Sequence, residues 1–307
     1  MLKNLRVVNY RGFATYTLNL AERTYLVGPN NAGKSSLLTT LRLADMLIRA
    51  AHQRNPSDRI TRGDSTYLAY PFALNEFPAL RESVRHNFLS SDETMIELVW
   101  FTGSSLTAIW PAEDDSERTS PVFYLQSKKG MQPRSITQVK SFFPRIGVIP
   151  ILSPVDYAEV SIQDKTVKSN IGSRIASRNL RNQIRMLSDA GELDDFKDFA
   201  LPWLMELTDF ELNRHLGTGG QVLDLMLYEQ GSRVPKEIVW AGDGIQIWFQ
   251  ILYHSFRLRE SATIVLDEPE VYLHPDLQRR LVALLNSLKQ AGSDGHSFVR
   301  NRRRSRA

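Results

Sequence analysis

Two short stretches of the chain hold residue types whose spacing could do chemistry. The first, "YLVGPNNAGKSS", fits G-x-x-x-x-G-K-[ST] from Gly28 to Ser35, behind an apolar run and ahead of residues with helical period. In that pattern the backbone N–H groups of Asn30, Asn31, Ala32, Gly33 and the first helical turn converge on phosphate oxygens. Lys34 then reaches the β- and γ-phosphates, Ser35 offers a hydroxyl to Mg²⁺, and Ser36 continues the turn. A glycine-rich turn that binds nothing requires neither the lysine nor the serine, so the agreement of strand, spacing, Lys and Ser points to a nucleoside triphosphate. The second stretch, "ATIVLDEPEVYLHPDLQ", sets Asp267 and Glu268 at the end of an apolar strand. Ligands sit beyond the carboxyl ends of strands in a parallel sheet, so both acids are expected to face the phosphate loop. Asp267 suits a metal, directly or through water. Glu268, an acceptor when ionised, suits the polarising of an attacking water. Two acids could instead cap a strand-to-helix turn; the company of the phosphate loop favours chemistry.

The elements that must position these residues follow from periodicity. "LKNLRVVNY", "TYTLNL" and "RTYLVG" predict three short strands, and "GKSSLLTTLRLADMLIRAAHQ" a helix opening near Gly33. Residues 54–88 are mixed and punctuated by proline, which predicts an irregular insertion. "TMIELVWF", "SLTAIW" and "PVFYLQ" read as antiparallel strands, and "RIGVIPIL" as a buried one. Amphipathic helices are expected in "SNIGSRIASRNLRNQIRMLSDAG" and "LDDFKDFALPWLMEL". "QVLDLMLYE" and "KEIVWAG" suggest two strands, or a strand and a turn. "DGIQIWFQILYHSFRLRE" predicts a helix with its Trp and Phe residues in the core, "ATIVLDE" a buried strand, and "PDLQRRLVALLNSLKQ" a last helix.

Composition narrows the class. The 307 residues are 42% hydrophobic and 23% charged, ordinary for a globular protein, and the lack of cysteine excludes disulfides and thiolate metal sites. No run approaches the roughly 18 apolar residues of a membrane span, and "MLKNLRVVNYRGF" has no signal-peptide core, so the cytoplasm is the expected compartment. The net charge of +4 belongs to the ending: Arg300, Arg302, Arg303, Arg304 and Arg306 outweigh it, and without them the formal charge is −1. A GTPase is disfavoured because no N-K-x-D segment occurs. A phosphate-loop kinase is disfavoured because nothing marks an acceptor site.

"GPNNAGKSS" together with "VLDEPEVYLHPDLQRRL" resembles the ABC-type ATPase heads of the SMC, RecF and OLD (overcoming lysogenization defect) groups, members of the AAA family of ATPases. The opening "LRVVNYRGF" is similar to the N-terminal strand and N-F-R-x-F turn of those heads. The resemblance is specific at both ends and loose between Arg54 and Gln230. It implies an α/β fold of the P-loop NTPase, ABC-ATPase-head type, with an antiparallel β section and a helical insertion. The expected organisation is one ATPase domain, with a core lobe of residues 1–53 and 236–290, an inserted region of 54–235, and an irregular basic tail of 291–307. By position it implies ATP and Mg²⁺ as cofactors, Lys34 and Ser35 for phosphate and metal, Asp267 for metal, and Glu268 as catalytic carboxylate.

"VWAGDGIQIWFQIL" stands where such heads carry a signature motif with Ser-Gly-Gly, which acts across a dimer on the partner's γ-phosphate. Here Ala241, Gly242, Asp243 and Gly244 stand in it. Gly242 and Gly244 still permit close backbone approach, while the serine is replaced and Asp243 brings a negative charge. Gln138 and Gln163 are both candidates for a glutamine bridging magnesium and water, and Arg11 is either structural or close to the nucleotide. The resemblance further implies a homodimer that sandwiches nucleotide between heads, work beside DNA in repair or anti-phage defence, and a nuclease or effector partner. In the same heads a buried strand ending in Thr-His-Ser follows the last helix. His296 and Ser297 lie near that place, but "AGSDG" is not an apolar strand, and the expectation is an ending truncated or out of frame rather than an arm selected for nucleic acid. The rival reading is a nucleotide-binding switch with little turnover.

Overall fold

The computed structural model describes residues 1–29, 31–72, 84–89, 91–115 and 120–293, with side chains to residue 288. The chain divides into two compact units, one of Met1–Gly147 with Ser261–Val265, the other of Val148–Glu260 with Leu266 onward.

The first unit is built on a seven-stranded antiparallel sheet. Strands β1 (Leu2–Tyr10), β2 (Phe13–Asn19), β3 (Asp58–Arg62), β4 (Ser65–Pro71), β5 (Thr94–Trp100), β6 (Ser105–Trp110) and β7 (Val122–Gln126) lie in the order β2-β1-β5-β6-β7-β4-β3. Alternation drives it: along β5 every second residue, from Thr94 to Trp100, is buried, and the register sets Val7 opposite Ile96 and Leu98 opposite Leu106. The strands of "TMIELVWF", "SLTAIW" and "PVFYLQ" form as expected. Within residues 54–72 the structure differs from expectation, because β3 and β4 form a hairpin there that joins the sheet through β7; residues 73–83 lie outside the described residues. Tyr67 stacks on Tyr124 and Tyr70 on Phe123, cross-strand contacts that fix a segment whose prolines suggested irregularity.

Helix α1 (Lys34–Ala51) buries Leu37, Leu41, Ala44, Leu47, Ile48 and Ala51, the i, i+3, i+4 stripe expected of it. Buried Asp45 on that stripe is held by Arg145, at 2.7 and 3.1 Å, and by Arg49 at 3.1 Å. A short helix α2 (Ile136–Phe142) precedes Arg145. Strands β8 (Ile146–Ile149) and β13 (Thr263–Leu266), both anticipated, pair as a two-stranded sheet, and the chain passes between the units within them. The expected strand in "RTYLVG" does not form: Tyr25 and Val27 are 76% and 90% exposed, and the apolar run Tyr25-Leu26-Val27 joins no ladder.

The second unit sets a hairpin, β10 (Leu207–Gly217) and β11 (Gly220–Glu229), beside the short strands β9 (Glu159–Val160) and β12 (Lys236–Glu237). Its helices are α3 (Asp164–Asn170), α4 (Leu180–Asp189), α5 (Leu193–Ala200), α6 (Asp243–Arg257) and α7 (Pro275–Ser293). The helix expected from residue 169 to 191 is broken, since a 3-10 turn at Ala176–Asn179 separates α3 from α4, and α5 ends where Pro202 cannot continue it. α7 runs three residues beyond Gln290, so Ala291, Gly292 and Ser293 are helical; His296, Ser297 and the arginines of the ending lie outside the described residues. Core packing is aromatic: Phe196 touches Phe210, Phe249 and Phe256, and Trp248 donates to the Trp203 carbonyl at 2.9 Å. No helix among the described residues is long and apolar enough to cross a membrane.

His254 on α6 is fully buried, and burial, with Arg257 beside it, holds its pKa well below 6.5. Arg257 Nη2 lies 3.3 Å from Nδ1, a geometry in which Nδ1 accepts and a second proton has no place. The folded pKa is therefore depressed, so the stability it permits is complete above about pH 6.5 and is lost as pH falls, because the unfolded chain takes the proton first. Urea unfolding between pH 7.5 and 5.5 should show stability decreasing with acid by up to about 1.4 kcal/mol per pH unit for this group. His254→Gln should remove that share, leaving a smaller one from His52, which partial burial shifts the same way.

Candidate nucleotide-binding site

The loop ahead of α1 has the backbone that its glycines foreshadow. Gly33 is the residue before the helix, at φ 85° and ψ 5°, and Asn31 is also left-handed at φ 67°; Asn30 lies outside the described residues. Asparagine tolerates that region better than most side chains. The left-handed φ is what asks for glycine at 33, and a Cβ there would also stand 2.3 Å from the tip of the Phe13 ring at the start of β2, which would have to shift. A Cβ on Gly28 would be in ordinary contact with Ala32, so its glycine is not explained by crowding. Ala32 N–H bonds the Pro29 carbonyl at 3.3 Å and closes the turn.

Residues 34–37 carry no acid, and the first amides of a helix lack carbonyl partners within it, so the start of α1 keeps its positive end for an anion. Lys34 Nζ donates to the carbonyls of Gly28 and Pro29, the latter at 2.8 Å. Two of the three ammonium donors are thus turned onto the loop, where phosphate oxygens would compete for them. Ser35 is exposed, while Ser36 lines an open cleft with Arg11, Gly12, Arg85, Asn87 and Phe88. Arg11 Nη1 donates to Thr39 Oγ1 at 3.3 Å, which ties the β1–β2 turn to the second turn of α1. Asn9, Arg11, Asn87 and Phe88 all have positive φ near that cleft, a concentration of backbone strain of the sort found around ligand sites.

The acids lie in the second unit. Asp267 follows β13, is 8% exposed, and its N–H bonds the Ile149 carbonyl at 3.3 Å. Glu268 is exposed and left-handed at φ 48°, which costs a side chain about 1–2 kcal/mol and persists only where the surroundings impose it. Its carbonyl accepts from Val271 N–H at 3.2 Å, so the strain belongs to the tight turn that ends the strand. The carboxylate of Asp267 is a hard oxygen donor, the kind that Mg²⁺ takes. Among the described residues no cluster of three or more His, Asp or Glu could hold a metal by itself.

The segment expected to act as a signature, Ala241 to Gly244, leads into α6. Gly242 precedes the helix at φ −61°, and Asp243 occupies its first turn. Unlike α1, this helix supplies its own carboxylate to its positive end, which physically accounts for the acid and weakens the end as an anion site. A Cβ on Gly244 would meet the Tyr272 carbonyl at 3.3 Å, so this glycine lets the helix start lie close to the turn that follows Glu268. Of the two glutamine candidates, Gln138 accepts from Arg134 N–H at 2.8 Å in a local cap, and Gln163 is exposed ahead of α3. Buried Gln246 on α6 goes unnoticed in the sequence, although Gln246, Gln250 and His254 recur at helical spacing inside an apolar helix.

Gly33→Ala should destabilise the first unit by at least the ~1–2 kcal/mol of a left-handed alanine, with the Phe13 contact added. Chemical unfolding measures it, and a variant as stable as the parent would contradict the loop geometry.

Comparison with known proteins adds the family. Residues 140–299, just over half the chain, match the family model described as "AAA domain, putative AbiEii toxin, Type IV TA system", and residues 1–60 match one described as "AAA ATPase domain". The search of curated proteins found no match. Among solved structures, the recombination mediator protein RecF of the RecFOR pathway, solved as RecF-ATPrS and as RecF-ATP, aligns at 14% identity. The alignments cover 94% of this chain and 90% of that one, with TM-scores of 0.49 and 0.47. The model over residues 140–299 spans Asp243 and the acidic strand end, and the chain belongs to the family it describes, that of the AAA domain, putative AbiEii toxin, type IV TA system.

Proposed function

We propose that this protein binds ATP with Mg²⁺ and hydrolyses it when two copies pair through their heads. The observation that carries the reading is the left-handed glycine turn at Gly33, which delivers Lys34 and Ser35 to an uncompensated helix N-terminus in a chain of this family. Lys34 exchanges its loop carbonyls for β- and γ-phosphate oxygens. The amides of residues 31–36 take further oxygens, with Ser36 at the edge of the binding cleft. Ser35 and Asp267 are the residues that would hold a Mg²⁺, which would spread the charge of the phosphates. Glu268, kept at a strained turn, accepts a hydrogen bond from the water that attacks the γ-phosphate and orients it in line with the leaving oxygen. Gly242 and Gly244 bring backbone close to the nucleotide of the second copy. The replaced serine and Asp243 lower the strength of that contact.

The wider setting we propose is a cytoplasmic ATPase that works beside DNA or in anti-phage defence with an effector partner. The description of the matching family names a putative toxin of a type IV toxin–antitoxin system, and an effector role of that kind is the setting it suggests.

Lys34→Ala should weaken Mg·ATP binding at least about tenfold, as loss of a charge-assisted contact does, with the fold intact. Calorimetry reads it, and equal affinity in parent and variant would sink the assignment. Glu268→Gln should spare affinity, lower turnover by about 10² or more, and trap an ATP-bound dimer. Phosphate release and sedimentation test both parts, and an undiminished rate would reject the role.

A further inference from the structure

The segment between β8 and β9, "PILSPVDYA", has no regular secondary structure across residues 150–158, yet parts of it are buried: Leu152 and Val155 are 6% exposed. Buried backbone outside a helix or ladder must find other partners. Side chains of α6 and the 3-10 turn supply them. Ser153 N–H donates to Ser177 Oγ at 3.0 Å, the Ser153 carbonyl accepts from Gln250 Nε2 at 2.9 Å, and Val155 N–H donates to Gln246 Oε1 at 2.9 Å.

Gln246 does more than hold this loop. Its Nε2 donates to the Ala241 carbonyl at 2.8 Å and to the Val239 carbonyl at 3.3 Å, both in the signature segment. One side chain, 3% exposed, thus uses its acceptor on the loop and both its amide hydrogens on the signature. The orientation of the amide is fixed by its neighbours, since a flipped group would set NH₂ against an N–H and oxygen against two carbonyls. The same segment is braced from its other side, where Glu237 accepts from Val239 N–H at 2.8 Å and from Arg181 Nε at 2.8 Å. Gln250, one turn along, touches the loop and the Gln246 carbonyl and makes no bond to the signature.

We propose that Gln246 is a positioning residue that fixes the signature segment, residues 239–242, against the loop at 153–155, so that ATP-dependent pairing of two heads depends on it while nucleotide affinity does not. The inference rests on the reading of this segment as the part that meets a second copy. An amide is required for the task. A carboxylate at this position keeps the bond from Val155 N–H and opposes the two signature carbonyls with like partial charge, which frees one segment and leaves the other held.

The test uses the full chain in a Glu268→Gln background, with sedimentation velocity in Mg·ATP and calorimetry for affinity. Gln246→Glu should weaken ATP-dependent dimerisation by about tenfold or more, the effect of leaving buried carbonyls unpaired, with ATP affinity within about twofold of its parent. Gln250→Glu, which disturbs only the loop, should lower the melting temperature yet leave dimerisation within about twofold. If the parent dimerises with ATP and Gln246→Glu does so equally well, or if both glutamine variants lose dimerisation in step with their melting temperatures, the positioning role fails and the reading of the site stands. If the Glu268→Gln parent itself forms no ATP-dependent dimer, the reading of the signature segment falls, and the positioning role with it.

Discussion

A helix can receive a phosphate at its N-terminus only if the chain enters it without a side chain in the way and without an anion of its own already there. Gly33 meets the first condition and the acid-free first turn of α1 the second. Phe13 fills the space that a Cβ at 33 would need, so β2 is anchored by the same glycine that admits the ligand. Further along, Asp45 holds Arg145 and Arg49 around the buried face of α1, so the helix is located at both its start and its middle. A buried carboxylate is costly unless paired and hydrogen-bonded, and here the pairing is also what tethers the residue immediately before β8.

The second unit solves a different problem, that of irregular backbone in a buried setting. Arg181, 1% exposed, reaches Glu237 and the Asp156 carbonyl, while Glu159 accepts from the amides of Arg181 and Asn182. Burial raises the Glu159 pKa, and those donated hydrogen bonds oppose the shift. The network holds the exposed rings of Tyr157 and Trp240, 6.5 Å apart edge to face, on segments that would otherwise be loose ends. Charge and amide groups do here what strand ladders do in the first unit.

Much of this was legible in the sequence, for reasons that the residues make plain. The phosphate loop, α1, α6 and β5–β7 announce themselves because local period and local turn chemistry decide them. β10 does not, since "LTDFELNRHLG" is polar over most of its length and becomes a strand through its register with β11. "RTYLVG" reads as a strand by its apolar β-forming run and forms none, because β-propensity says nothing about whether a neighbouring strand arrives. Gln246 was opaque for a similar reason. Its partners are backbone atoms of Val155, Val239 and Ala241, and backbone leaves no trace in composition.

The two edges of the seven-stranded sheet are unequal. β3, "DRITR", carries Asp58, Arg59 and Arg62 along one border, and charge of that kind discourages a foreign strand from docking. β2, "FATYTLN", has no charged residue in its seven, and most of it is exposed. An extended segment from another chain therefore meets least resistance along β2. Phe13, whose ring packs beside Gly33, is the first residue of that same exposed strand.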